Sequence, residues 1–149
     1  MQSNSDFEDI LLALNAAGVE YLVVGAYAVA AHSRPRATGD IDLWVELSPE
    51  NAARVYRALA EFGAPMEHID EQTFCEPDIV FQIGVPPRRV DILTAIDGVS
   101  FAQAWPNRIP STIGKAPTHV LGRADLIRNK KASGRATDLA DLERIERDA

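Results

Sequence analysis

The stretch Tyr21-Leu22-Val23-Val24-Gly25-Ala26, followed by Asp40-Ile41-Asp42-Leu43-Trp44-Val45, decides how this chain folds. An apolar run that ends in glycine reads as a strand breaking into a turn, and Ala26 to Ala31 reads as a short, tightly packed helix beyond it. A second strand, Ile41 to Glu46, carries Asp40 and Asp42 on one face and Ile41, Leu43 and Val45 on the other. Residues two apart on a strand lie roughly 6.5–7 Å from one another at Cα, so both carboxylates can reach metal ions. An exposed sheet edge or a strand start would also carry alternating carboxylates, and spacing alone leaves that alternative open.

A third carboxylate sharpens the pattern. In Arg88-Arg89-Val90-Asp91-Ile92-Leu93, Asp91 opens another apolar strand. A carboxylate there is costly to bury alone, so either a metal shared with Asp40 and Asp42 or a salt bridge to Arg36 or Arg88 is expected beside it. Oxygen ligands without His or Cys favour Mg2+ or Mn2+ over zinc. At the Gly25-Ala26 turn, backbone N–H groups at a helix start would attract an anion, although a tight turn needing no Cβ explains the glycine equally well.

Outward from these strands the chain alternates between the two periods. Phe7, Ile10, Leu11 and Leu14 recur at helical spacing, and Gly18 suits the stop. Ser48-Pro49-Glu50 caps and opens a helix whose apolar positions Ala52, Val55, Leu59 and Phe62 carry it to Gly63. Asp78 to Val85 and Arg89 to Ala95 read as a hairpin across Pro86-Pro87-Arg88. Val99 to Trp105 is a short helix, while Ile109–Ile113 and Thr118–Leu121 are strand candidates. Arg123 to Ser133 and Thr137 to Arg147 form a closing helix pair broken at Gly134. The expectation is an α/β (α+β) single domain over residues 1–149, a mixed β-sheet flanked by helices, with its core at about 19–121 and C-terminal helices at about 122–147.

The 149 residues are 46% apolar, enough for one core, and the longest apolar stretch is too short for a membrane span. The start of the chain lacks a signal-peptide pattern and Cys75 is the lone cysteine, so a cytoplasmic setting without disulfides is expected. A net charge of −7 excludes non-specific coating of nucleic acid. One basic segment stands against that background: Arg123, Arg128, Lys130, Lys131 and Arg135 face the single carboxylate Asp125. It suits a triphosphate or an RNA end, and it equally suits a solvated helix face. Helical spacing turns Lys130 inward with Leu126 and Ile127 and turns Lys131 outward. His32, His68 and His119 show no ligand spacing, and neither a Ser-His-Asp set nor a Walker-type loop is present.

The segment from Gly25-Ala26 through Arg36-Ala37-Thr38-Gly39-Asp40-Ile41-Asp42 resembles the nucleotidyltransferase superfamily that shares its core with DNA polymerase β. It is nearest to small bacterial members related to abortive-infection and toxin–antitoxin toxins. Leu126-Ile127-Arg128-Asn129-Lys130-Lys131 through Arg135, Asp138 and Asp141 is similar to that group's closing segment. The resemblance implies a nucleotidyltransferase-like fold and transfer of a nucleoside monophosphate from a nucleoside triphosphate such as ATP. It implies Asp40, Asp42 and Asp91 as catalytic and Mg2+ (or Mn2+) ligands. Gly25, Ala26, Arg36, Thr38, Lys130, Arg135 and Asp138 are the implied nucleotide-binding residues, Asp138 orienting Lys130 or Arg135. The implied acceptor is tRNA, a protein or a small molecule, and an antitoxin is an implied partner. Ala26 departs from the glycine or serine common there, keeping the N–H and losing a hydroxyl. A non-catalytic binding module on the same fold and a metal-dependent phosphoesterase are the competing functions.

Overall fold

The computed structural model describes residues 5–33 and 39–147. Tyr21–Val24 is a strand, β1, with all four side chains buried. Ile41–Val45 forms β2 antiparallel to it, and the register sets Val24 opposite Asp42 and Leu22 opposite Trp44. Val90–Leu93 (β4) lies parallel to β2 on its other side, with Asp42 opposite Asp91 and Trp44 opposite Leu93. Val80–Ile83 (β3) pairs antiparallel with β4 as the expected hairpin, and Ile109–Ile113 (β5) pairs antiparallel with Ala116–Val120 (β6). β6 joins β1 in parallel, completing the six-stranded mixed order β3-β4-β2-β1-β6-β5.

β2 is therefore interior, which removes the edge-strand explanation for its carboxylates. Alternation along β2 sends Ile41, Leu43 and Val45 to one face and Asp42 and Trp44 to the other. The first three are fully buried, each contributing about 1.5–3 kcal/mol of apolar burial. On their side lie the helices Ser5–Ala16 (α1), Gly25–Ala31 (α2) and Pro49–Phe62 (α3), and Phe7 of α1 meets Tyr27 of α2 edge-on. The Tyr21 hydroxyl donates to Asn15 of α1 and accepts from Thr118 of β6, pinning that helix across the sheet.

On the Asp42 side, Trp44 meets Phe101 of the short helix Phe101–Ala104 (α4) edge-on, and Phe101 stacks on Trp105. Trp105 in turn touches His119 of β6 and carries the Arg108 guanidinium 4.0 Å above its ring. This aromatic cover sits over the Trp44 end of the face and leaves the Asp42 end to other groups. The chain closes with helices Arg123–Ser133 (α5) and Ala136–Arg147 (α6), joined at Gly134 with φ +65°.

Residues 64–77 carry neither a helix nor a strand period. Asp70 Oδ1 accepts from the backbone of Gln72 and Thr73, shaping a 3-10 turn at Thr73–Cys75 that buries Phe74 completely. No periodic pattern announces a single buried aromatic in a turn.

Candidate active site

Three strands deliver the site. Asp42 and Asp91 are opposite residues of the parallel pair β2–β4, so their side chains leave the same face side by side. Asp40 precedes β2 on that same face. Asp91 is only 7% exposed, as burial in an apolar strand required. Gly25 closes the site from β1: its φ is +67°, and a Cβ there would collide with the Asp42 carboxylate. Both features demand glycine, the backbone angle and the contact each being sufficient.

The salt bridge expected at Asp91 exists among the described residues, and its donor there is Arg89 rather than Arg88. Arg36 lies outside the described residues, and Arg88 is exposed. Arg89 makes the contact. Its Nε donates to Asp91 Oδ1 at 2.8 Å and its Nη2 to Asp91 Oδ2 at 3.3 Å. The same Nη2 lies 3.2 Å from Asp40 Oδ2, and the Arg89 backbone N–H donates to Asp40 Oδ1 at 3.0 Å. All four oxygens of Asp40 and Asp91 thus face one residue. The signal was legible: Arg89 and Asp91 are two apart on one strand face, by the rule that paired Asp40 with Asp42.

Among the described residues, no cation pairs with Asp42 as Arg89 pairs with Asp91. Its burial, the negative charge of Asp91, a hydrogen bond with Asp91 and the charge of Asp40 push its carboxyl up to about 7, against a lowering influence of Arg89. Like charges this close resist joint ionisation. Among the described residues, no three His, Cys, Asp or Glu side chains are gathered around a point that would seat a metal ion.

The other candidate residues fall elsewhere. Ala26 lies in the first turn of α2, half-buried, and Thr38, like Arg36, is outside the described residues. Lys130 is turned inward and is 7% exposed, its Nζ 3.2 Å from both Asp138 and Asp141 of α6. Asp138 also accepts from Arg135 through Nε at 2.8 Å and through the backbone N–H at 3.2 Å. Arg135 first and Lys130 after it hold the Asp138 carboxyl down at about 2. The basic segment is therefore largely answered by acids of its own helix pair, since Arg128 also pairs with Asp125 at 2.8 Å. These ion pairs run within α5 and α6 rather than to Asp40, Asp42 or Asp91.

A cleft of about 840 Å3 between α1, α3 and the β3–β4 hairpin takes in Ile83, Arg88 and Val90. Val90 and Asp91 point to opposite faces, so this cleft lies across the sheet from the carboxylates.

No protein-family model and no curated protein matches this sequence. Solved structures do. The antibiotic-resistance factor ANT(2'')-Ia superposes with a TM-score of 0.62 at 17% identity, over 95% of this chain and 80% of that one. Its complex with adenylyl-2''-tobramycin gives 0.61 at 16% identity, over 95% and 86%. A Thermotoga maritima protein described as a nucleotidyltransferase gives 0.60 at 15% identity, over 96% and 91%. At these identities the likeness is one of fold, and the fold is that of the nucleotidyltransferases.

Proposed function

We propose that this chain is a metal-dependent nucleotidyltransferase, moving the nucleoside monophosphate of a nucleoside triphosphate such as ATP to an acceptor and releasing pyrophosphate. The observation that carries the proposal is the register placing Asp42 beside Asp91, with Asp40 on the same face and Gly25 packed on Asp42. Asp40, Asp42 and Asp91 are the residues that would hold Mg2+ or Mn2+. Their donor chemistry fits, being carboxylate oxygen throughout, and a cation would relieve the Asp42 carboxyl, which burial and the neighbouring Asp91 raise to about 7. The bound ion would supply neutralisation of the triphosphate and of charge developing on pyrophosphate.

The chain's own groups do the rest. The Gly25-Ala26 turn brings backbone N–H groups near phosphate without a side chain in the way, and Arg36 and Thr38 are assigned to phosphate from the adjoining segment. Asp91 takes the proton of the acceptor as its oxygen attacks the α-phosphorus, forming the acceptor–phosphorus bond while the bond to pyrophosphate breaks. Lys130 is already paired with two carboxylates, so its part is to hold α5 on α6. The Arg135 side chain is 73% exposed and open to a nucleotide, with Asp138 orienting it.

A net charge of −7 favours a cationic small-molecule acceptor, aminoglycoside-like in chemistry, over a tRNA end. A tRNA or protein acceptor would instead suit a toxin with an antitoxin partner in the cytoplasm. The test is incubation with each α-labelled triphosphate and Mg2+, separately with aminoglycosides, total tRNA and lysate protein. Label should move to one acceptor class and fail to move with Asp42→Asn. A second reading, a non-catalytic nucleotide-binding module, is favoured by Arg89 facing every oxygen of Asp40 and Asp91. Triphosphate binding without transfer to any acceptor would select it.

A further inference from the structure

We infer that Arg89 is a built-in counter-cation that competes with a divalent ion for Asp40 and Asp91, so that metal entry requires its guanidinium to withdraw. The inference deepens the proposed function and rests on it. Asp91 meets the guanidinium through both of its oxygens, at 2.8 and 3.3 Å, and Asp40 Oδ2 is 3.2 Å from the same Nη2. A cation bound by these carboxylates needs oxygens that now face N–H groups, and two positive groups at one position repel. The remaining contact, from the Arg89 backbone N–H to Asp40 Oδ1, does not depend on the side chain and keeps Asp40 oriented in any substitution. The Arg89 side chain is 28% exposed, so its withdrawal has a path to solvent.

The arrangement has a functional meaning. Three carboxylates on neighbouring strands are tolerated in the absence of metal because one guanidinium spans two of them. When metal arrives with triphosphate, the displaced guanidinium is beside incoming phosphate oxygens, for which its planar fork is suited. Arg89 thereby makes ion binding depend on triphosphate: metal alone must overcome the arginine, while triphosphate offers it a new partner.

Mn2+ binding measured by electron paramagnetic resonance tests this without any turnover. Without nucleotide, Arg89→Ala should bind Mn2+ about tenfold more tightly than wild type, an effect of the size expected for a well-formed bidentate pair and its neighbour. Arg89→Lys, which keeps the charge and loses the fork, should fall between them. Millimolar methylguanidinium should weaken Mn2+ binding to Arg89→Ala and leave wild type unchanged, a readout that a merely structural role would not move. Unchanged or weaker binding by a folded Arg89→Ala, or no response to methylguanidinium, overturns the inference and leaves the proposed activity standing. Wild-type protein that binds no Mn2+ beyond the Asp42→Asn level, even with triphosphate, removes the proposed function and the inference together.

Discussion

At the scale of single residues, the site is governed by how Asp42 is surrounded. The folded state raises its carboxyl from an ordinary 3.8 to about 7, so between those values the folded chain holds a proton that the unfolded chain has released. Stability must therefore fall as pH rises through that window and stay low above it. Asp42→Asn removes the charge and should raise the metal-free melting temperature at pH 8, by about 2 kcal/mol or more in unfolding free energy. It should also flatten the decline seen between pH 5 and 8. Thermal melts across that range check both, and a destabilised Asn variant would make Asp42 structural instead. Gly25→Ala is the opposite case. A Cβ at φ +67° against the Asp42 carboxylate should cost about 1–3 kcal/mol and displace the side chain the site depends on. Asp40 and Asp42 could be read as sharing a face because strand alternation is a local rule, whereas Asp91 joins them only through the β2–β4 pairing. Arg89 obeys the same rule toward Asp91, and only its contact with Asp40 depends on the strand register.

At the scale of elements, the C-terminal pair shows what charge counting along a sequence misses. Five cations and one acid suggested a basic patch, yet Asp138 and Asp141 arrive from the next helix and engage Lys130 where it is nearly buried. The inward turn of Lys130 followed from helical spacing, whereas its partners depended on how α6 folds back. Because the Asp138 carboxyl is held at about 2, its contribution is complete above an ordinary carboxylate pKa and is lost as pH falls from about 4 toward 2. Acid should loosen α6 before it unfolds the sheet, visible as early loss of amide protection over residues 136–147 in hydrogen exchange. Asp138→Asn should cost about 3 kcal/mol, since it leaves a buried ammonium with one carboxylate fewer. Lys131→Ala, on the exposed side, should change stability by less than about 0.5 kcal/mol.

At the scale of the whole molecule, element types were legible nearly throughout, because strand and helix periods are properties of short windows. Strand order was not. Nothing in residues 41–45 says that their neighbours are residues 21–24 on one side and 90–93 on the other. That arrangement needs α3 and the buried Phe74 turn to carry the chain across, and it alone brings Asp91 to Asp40 and Asp42. Asp40 and Arg89, which share a hydrogen bond and an ion pair, are 49 residues apart in the chain. The parallel β2–β4 pair consequently has a kinetic side. In the unfolded chain Asp91 is far from Asp40 and Asp42, and its repulsion with them first appears as these strands dock. Long-range pairing is already slow to form, since loop closure precedes its reward. Like charges on the docking strands add to that barrier, so Asp42→Asn should refold faster than wild type at pH 8 and at nearly the same rate at pH 5. Stopped-flow refolding at the two pH values would show whether the groups proposed for catalysis also set the pace at which this protein reaches its native sheet.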